Sequence, residues 1–242
     1  MDDLNEQEDR TSLEAFARAL AREHEIVRPP RRGEARLHRR LRTLRDVHQS
    51  VATRFQRAGP EALLGATAEW FLDNQHLVLE ALQQIEEDLS SEFYRELPRL
   101  KETGRRDEPR VFAIGRALVE EGEGHVDPER TERMLIAYQE VTPLAMGELW
   151  AVPPMLRLAL VESLAVSGAN LVDVLFHDRS ELEKIGWERK DIPVAEMVPG
   201  GFDSLRIIAA TDWKRFFEAV SRVERALREG DPSGFYPRMD FE

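Results

Sequence analysis

The longest apolar run of the chain, Val152 to Leu175, is interrupted by Arg157, Glu162, Asn170 and Asp173. A bilayer core penalises such charges, so the run reads as a helix buried inside protein and not as a membrane span. Pro153-Pro154 opens it, because the first helical turn has no N–H bond for proline to lose.

Nearly every other segment carries helical spacing too. Leu13, Phe16, Ala17 and Leu20 continue a helix that Thr11-Ser12 can cap. Leu37, Leu41, Leu44, His48, Val51 and Phe55 recur in steps of four and three, a narrow seam of coiled-coil type. A long helix is expected from Glu61 to Leu89 and a short one from Arg110 to Glu120, ending at Gly122 and Gly124. Asp127-Pro128 and Thr142-Pro143 read as helix starts. A polar connector should run from His177 through Pro199-Gly200-Gly201, followed by helices over 204–210 and 211–228. No alternating run makes a convincing strand. The expected fold is therefore all-α, a multi-helix bundle-like domain with an N-terminal helical arm. Two domains are expected, an arm over 1–58 and a main domain over 59–242, or one continuous domain.

The 242 residues carry a net charge of −12 that hides an asymmetry. Between Arg28 and Arg57 stand ten arginines against Glu34 and Asp46, a formal +8, which leaves −20 elsewhere. Arg36, Arg39, Arg40 and Arg42 fall outside the apolar seam. They suit an anionic surface such as lipid head groups, or they pair with acidic neighbours in the same fold. Nucleic acid is not an expected partner of so acidic a body. The start, Met1-Asp2-Asp3-Leu4-Asn5-Glu6, is acidic and polar, unlike a secretory leader. There is no cysteine, so no thiolate metal site, nucleophile or disulfide can form.

The chain lacks a phosphate-cradling glycine loop, an Asp-x-Asp metal pair after a strand, Gly-x-Ser-x-Gly and His-Glu-x-x-His. No catalytic residue, metal site or cofactor is expected. Glu69, Asp73, His76 and Glu80 should share one helix face, and Asp73-x-x-His76 has the spacing of di-metal bundles, but no matching second pair is evident. A polar face that serves neighbouring helix ends is the alternative. Glu69-Trp70 and Glu148-Leu149-Trp150 set an acid beside an indole. That pairing occurs in sugar sites, and equally where a buried tryptophan needs a partner. Tyr94, Arg95 and Tyr138 read as packing residues with polar tips.

These residues also carry a family likeness. The segment Glu69-Trp70-Phe71-Leu72-Asp73-Asn74-Gln75-His76-Leu77 resembles the Glu-Trp-x-Leu-Asp-Asn-x-His motif of cyclic β-1,2-glucan synthases. Phe93 to Pro98, Pro143 to Ala151, Leu156 to Glu162, Ser204-Leu205-Arg206, Asp212-Trp213, Phe216-Phe217-Glu218 and Tyr236-x-Arg238-Met239-Asp240-Phe241 follow in the same order. The resemblance implies the amino-terminal part of a large inner-membrane protein, held on the cytoplasmic side, whose later glucosyltransferase domain uses UDP-glucose. No catalytic residue of that family maps onto this chain.

The expected role is a non-catalytic docking domain whose partners are other domains of the same polypeptide. Aromatic and charged residues crowd the end of the chain, which reads as a piece of something larger. Phe235, Tyr236, Arg238, Met239 and Phe241 are the expected interdomain seam. Two alternatives remain open: a glucan-binding module that uses Glu69, Trp70, Asp73, Asn74, His76, Glu148 and Trp150, and a membrane-surface adaptor that uses the arginines.

Overall fold

Helical spacing dominates the structure as it does the sequence. The computed structural model describes residues 2–27, 34–58, 66–101, 108–185 and 193–229. Thirteen helices lie among them. They are α1 Asp2–Glu23, α2 Glu34–Ala58, α3 Ala66–Asp73, α4 Gln75–Asp88, α5 Ser91–Glu96, α6 Arg110–Glu121, α7 Pro128–Val141, α8 Met146–Trp150, α9 Val152–Phe176, α10 Ser180–Ile185, α11 Val194–Ala210, α12 Trp213–Val220 and α13 Arg222–Glu229. The class is all-α, as expected. One antiparallel ribbon joins β1 Ile26–Val27 to β2 Arg99–Leu100. Two-residue strands are too short to register as alternation in a sequence.

The chain divides into two compact units. The larger holds residues 24–127 and 151–210 and is built around α9. That helix packs against α2, α4, α6, α10 and α11. It is the one helix among the described residues long and apolar enough to cross a membrane, yet 78% of its most apolar window is buried. Its apolar character is thus used against protein, as its embedded charges foretold. The α2 seam is buried over its whole length, from Leu37 at 1% exposed to Phe55 at 0%, with His48 among the apolar residues.

Where α9 meets α2 and α3 the helices approach closely. A Cβ placed on Gly168 would lie 2.9 Å from Val51 Cγ1 and 3.0 Å from Phe71 Cζ. Phe71 is itself held edge-on between Phe55, at 5.9 Å between ring centroids, and Phe202, at 5.7 Å. Gly168→Ala should therefore destabilise the chain by about 1 kcal/mol. Overpacking costs ~2 kcal/mol and the gain in helix propensity returns ~1. Urea denaturation checks this, and an unchanged or raised stability would mean the ring stack yields freely.

The smaller unit holds residues 1–23, 128–150 and 211–242. Here α1 packs along α7, and α12 touches α7, α8 and α13. Leu13, Ala17 and Ala21, spaced by four, form the buried stripe of α1. Arg18 reaches Glu140 on α7 at 2.6 Å and Glu14 on its own helix at 3.0 Å.

Several boundaries differ from the sequence reading. The first helix runs straight through Thr11-Ser12 instead of starting there. Thr142-Pro143 starts no helix, and α8 begins only at Met146. The long helix expected through 61–89 is broken at Asn74 into α3 and α4. Most instructive, Pro199-Gly200-Gly201 lies inside α11. The carbonyl that Pro199 deprives of a donor belongs to Ala195, which is exposed, so water can serve it. The glycines are contact points: a Cβ on Gly200 would lie 2.7 Å from the His125 ring, and one on Gly201 3.0 Å from Leu164 Cδ2. Ser221 divides the last expected helix into α12 and α13, and its hydroxyl accepts from Glu224 N–H at 3.2 Å.

Candidate functional site

The residues proposed from sequence fall in both units. In the larger unit, Glu69, Asp73, His76 and Glu80 are all exposed, and the break at Asn74 separates the first two from the last two. No three histidine or carboxylate side chains converge as a metal site requires, among the described residues. The expectation that this face serves neighbouring buried groups needs correcting, since these side chains point to solvent. The residue that does so is Asn74, only 7% exposed. Its amide donates to Trp70 O at 2.9 Å, and its oxygen accepts from Arg206 on α11. Trp70 is half-buried in the same turn.

The arginines of α2 divide. Arg39 and Arg42 are exposed. Of Arg36, the side chain lies outside what the structure describes. Arg40 does not share their surface, which corrects its assignment to an anionic contact. It turns inward, and its Nε donates to Glu162 of α9 at 2.8 Å. Its guanidinium sits 4.1 Å from the centre of the Phe112 ring. Glu108 completes the group, 3.6 Å from Arg40 and 2.8 Å from Arg116. Two cations and two carboxylates thus neutralise one another beside an aromatic ring, with Glu162 3% and Glu108 7% exposed. Such a cluster organises packing and leaves no charge to spare for a ligand. Tyr94 is buried as expected, under the Arg99 guanidinium at 4.6 Å.

In the smaller unit Glu148 is fully buried, and its carboxylate accepts from Ala145 N–H at 2.9 Å. That is the back-reaching half of a capping box at the start of α8. Glu148 is therefore a structural cap and not a surface contact, a second correction. Trp150, two residues on, is 59% exposed. One face of its indole stacks on Phe217 of α12, with centroids 4.4 Å apart and planes 28° from parallel. On the same helix Trp213 and Phe216 pack edge-on at 5.0 Å. In α13, Val223 and Leu227 are 55% and 47% exposed. Four positions apart, they share one helix face. The expected seam of Phe235, Tyr236, Arg238, Met239 and Phe241 lies outside the described residues.

Sequence reasoning missed the distant partners: Phe217 for Trp150, Arg206 for Asn74, and Glu162 for Arg40. Each pair is far apart along the chain, 122 positions in the last case. A lone aromatic or arginine carries no local mark of its mate.

The larger unit thus holds a cluster of mutually neutralised charges, and the smaller unit carries exposed Trp150, Val223 and Leu227. Comparison with known proteins gives the chain a likeness. No family model matches the chain. It is similar to the cyclic beta-(1,2)-glucan synthase NdvB of Rhizobium meliloti (strain 1021), at 28% identity over 246 aligned positions. The match covers 74% of this chain and 8% of that protein. The chain therefore spans a small fraction of the relative, and the likeness stands for one part of a much longer polypeptide.

Proposed function

We propose that this chain is a non-catalytic helical docking domain of a cyclic β-1,2-glucan synthase-like glucosyltransferase. The observation that carries the reading is the exposure of Trp150, Val223 and Leu227 in the smaller unit. Contiguous exposed apolar residues mark interaction surfaces, and Val223 and Leu227 share one helix face. The partner is another module of the same polypeptide, which accords with a relative of which this region is only 8%. By the family resemblance that polypeptide uses UDP-glucose and works at the cytoplasmic face of the inner membrane.

Val223→Lys with Leu227→Lys should leave the stability of the chain within ~0.5 kcal/mol, as exposed substitutions usually do. It should also abolish co-purification with the remaining polypeptide expressed separately. Undiminished co-purification of a folded double variant would remove this face as the docking surface.

Glucan binding is the second reading, and the exposed face of the Trp150 indole favours it. A linear or cyclic β-1,2-glucan that binds the folded state must raise its melting temperature, and Trp150→Ala should erase that rise. An unchanged melting temperature at millimolar glucan would end the reading.

A further inference from the structure

An open groove of about 690 Å³ runs along α2 in the larger unit. One wall is the stripe of α2 from Asp46 to Ala58, and Phe176 enters from the end of α9. The lining positions of α2 recur in steps of one and three, so they share one helix face about 18 Å long. None of them belongs to the buried apolar seam of that helix. The volume lies within the range of about 300–1,000 Å³ typical of small-ligand sites.

Bonds within the protein set what this wall offers. Ser50 donates its hydroxyl proton to Glu181 Oε1 at 2.7 Å. Glu181 is 1% exposed and is also held by Lys184 at 2.9 Å. Thr53 donates to the Gln49 carbonyl at 2.7 Å. Both hydroxyls have thus spent their protons, and lone pairs are what they have left to offer. Arg54 is fixed by Asp178 at 2.7 Å, which cancels its charge, and reaches Ser180 at 3.5 Å. The side chains of Asp46, Gln49 and Arg57 are exposed and have no partner among the described residues. Asp46 and Arg57 balance in formal charge. The wall is therefore neutral and rich in acceptors, with one unspent guanidinium toward its Arg57 end.

We infer that this groove binds a neutral, polyhydroxylated ligand of the oligosaccharide class. A sugar hydroxyl both donates and accepts. It can donate to Asp46, Ser50 and Thr53 and accept from Arg57, while the Gln49 amide serves either role. The bonds to Asp46 and Arg57 are charge-assisted and hence the strongest. The ring of Phe176 and the methyl of Ala58 give the carbon face of a sugar the apolar contact that small-ligand sites combine with a few polar groups. Other ligand classes fit less well. A phosphate would set its acceptors against Asp46 and the spent hydroxyls, and a polyamine would meet Arg57. The site is independent of both readings given above, because its lining belongs to the larger unit, whereas Trp150, Val223 and Leu227 belong to the smaller.

Titration calorimetry on the full chain tests this with four probes: a linear β-1,2-linked glucose trimer, an α-1,4-linked glucose trimer, inorganic phosphate and spermidine. At least one trimer should bind at one site per chain. Phosphate and spermidine should bind at least several-fold more weakly. Asp46→Ala, on an exposed side chain, should weaken the trimer roughly tenfold, the usual scale for losing a hydrogen bond to a charged group. Thr53→Val keeps the shape of the side chain and removes its lone pairs, so it should weaken binding several-fold. Trp150→Ala should leave this binding unchanged. Absence of binding by either trimer, or an Asp46→Ala variant that binds as the parent does, would overturn the site. Tighter binding of phosphate or spermidine than of both trimers would overturn the ligand class. Binding lost in Trp150→Ala and kept in Asp46→Ala would also overturn the groove, and would hand the sugar to the smaller unit.

Discussion

Glu162→Ala should cost about 3–5 kcal/mol, the usual penalty for stripping one partner from a buried ion pair. The loss is large because Arg40 would keep only Glu108, which Arg116 already holds at 2.8 Å. Two cations would then share one largely buried carboxylate. A second variant separates removal of a partner from removal of the pair. Arg40→Met with Glu162→Leu should recover most of the loss, because apolar side chains of similar size often replace buried ion pairs at little cost. Urea denaturation of the three proteins measures both effects. A single variant that loses less than about 1 kcal/mol would show the cluster to be far wetter than its burial suggests.

Acid should weaken the fold through His48. The ring is 4% exposed, and its Nε2 donates to Val161 O at 2.9 Å, so the neutral ring suits its surroundings. Burial drives its pKa down to about 4, with the carbonyl contact opposing the shift. The folded value lies below the unfolded one of 6.5. The unfolded chain therefore takes up the proton first, and stability falls as pH drops from about 6.5 to about 4. At pH 5 the loss from this residue is about 2 kcal/mol, and near pH 4 about 3 kcal/mol. His24, also lowered to about 4 by burial and then by Arg110 and Arg116, acts in the same direction. Urea midpoints at pH 7 and pH 5, compared between the parent chain and His48→Gln, isolate the contribution. A variant with the same pH dependence as the parent would assign the acid sensitivity elsewhere.

The parts legible in the sequence are those whose signal is local and repeated. The seam of α2 announces itself because one apolar residue returns every three or four positions and little else in the helix is apolar. The buried placement of α9 follows from a long apolar run that could not be left in water, with charges that could not be left in lipid. What the sequence concealed depends on partners that arrive from elsewhere. Pro199-Gly200-Gly201 has the composition of a turn, and it is helical because His125 and Leu164 need the room that side chains would take. Asn74 stands at a helix break, where its side-chain oxygen accepts from Arg206, 132 residues away. Arg40 looks like its exposed neighbours Arg39 and Arg42, and only Glu162, 122 residues away, sets it apart. The same holds for the candidate surface. Trp150 was visible as an indole beside an acid, but that acid proved to be a cap, and the ring it stacks on comes from another helix.

The packing of α1 on α7 has a consequence for how the chain is made. The stripe of Leu13, Ala17 and Ala21 emerges from the ribosome early, whereas the surface that buries it is completed only when translation reaches Val141. At ~5–20 residues per second, that interval is on the order of ten seconds. Throughout it the larger unit's first segment is being synthesised beside an unshielded amphipathic helix. Until α7 is complete, that stripe is an apolar face open to nascent-chain chaperones.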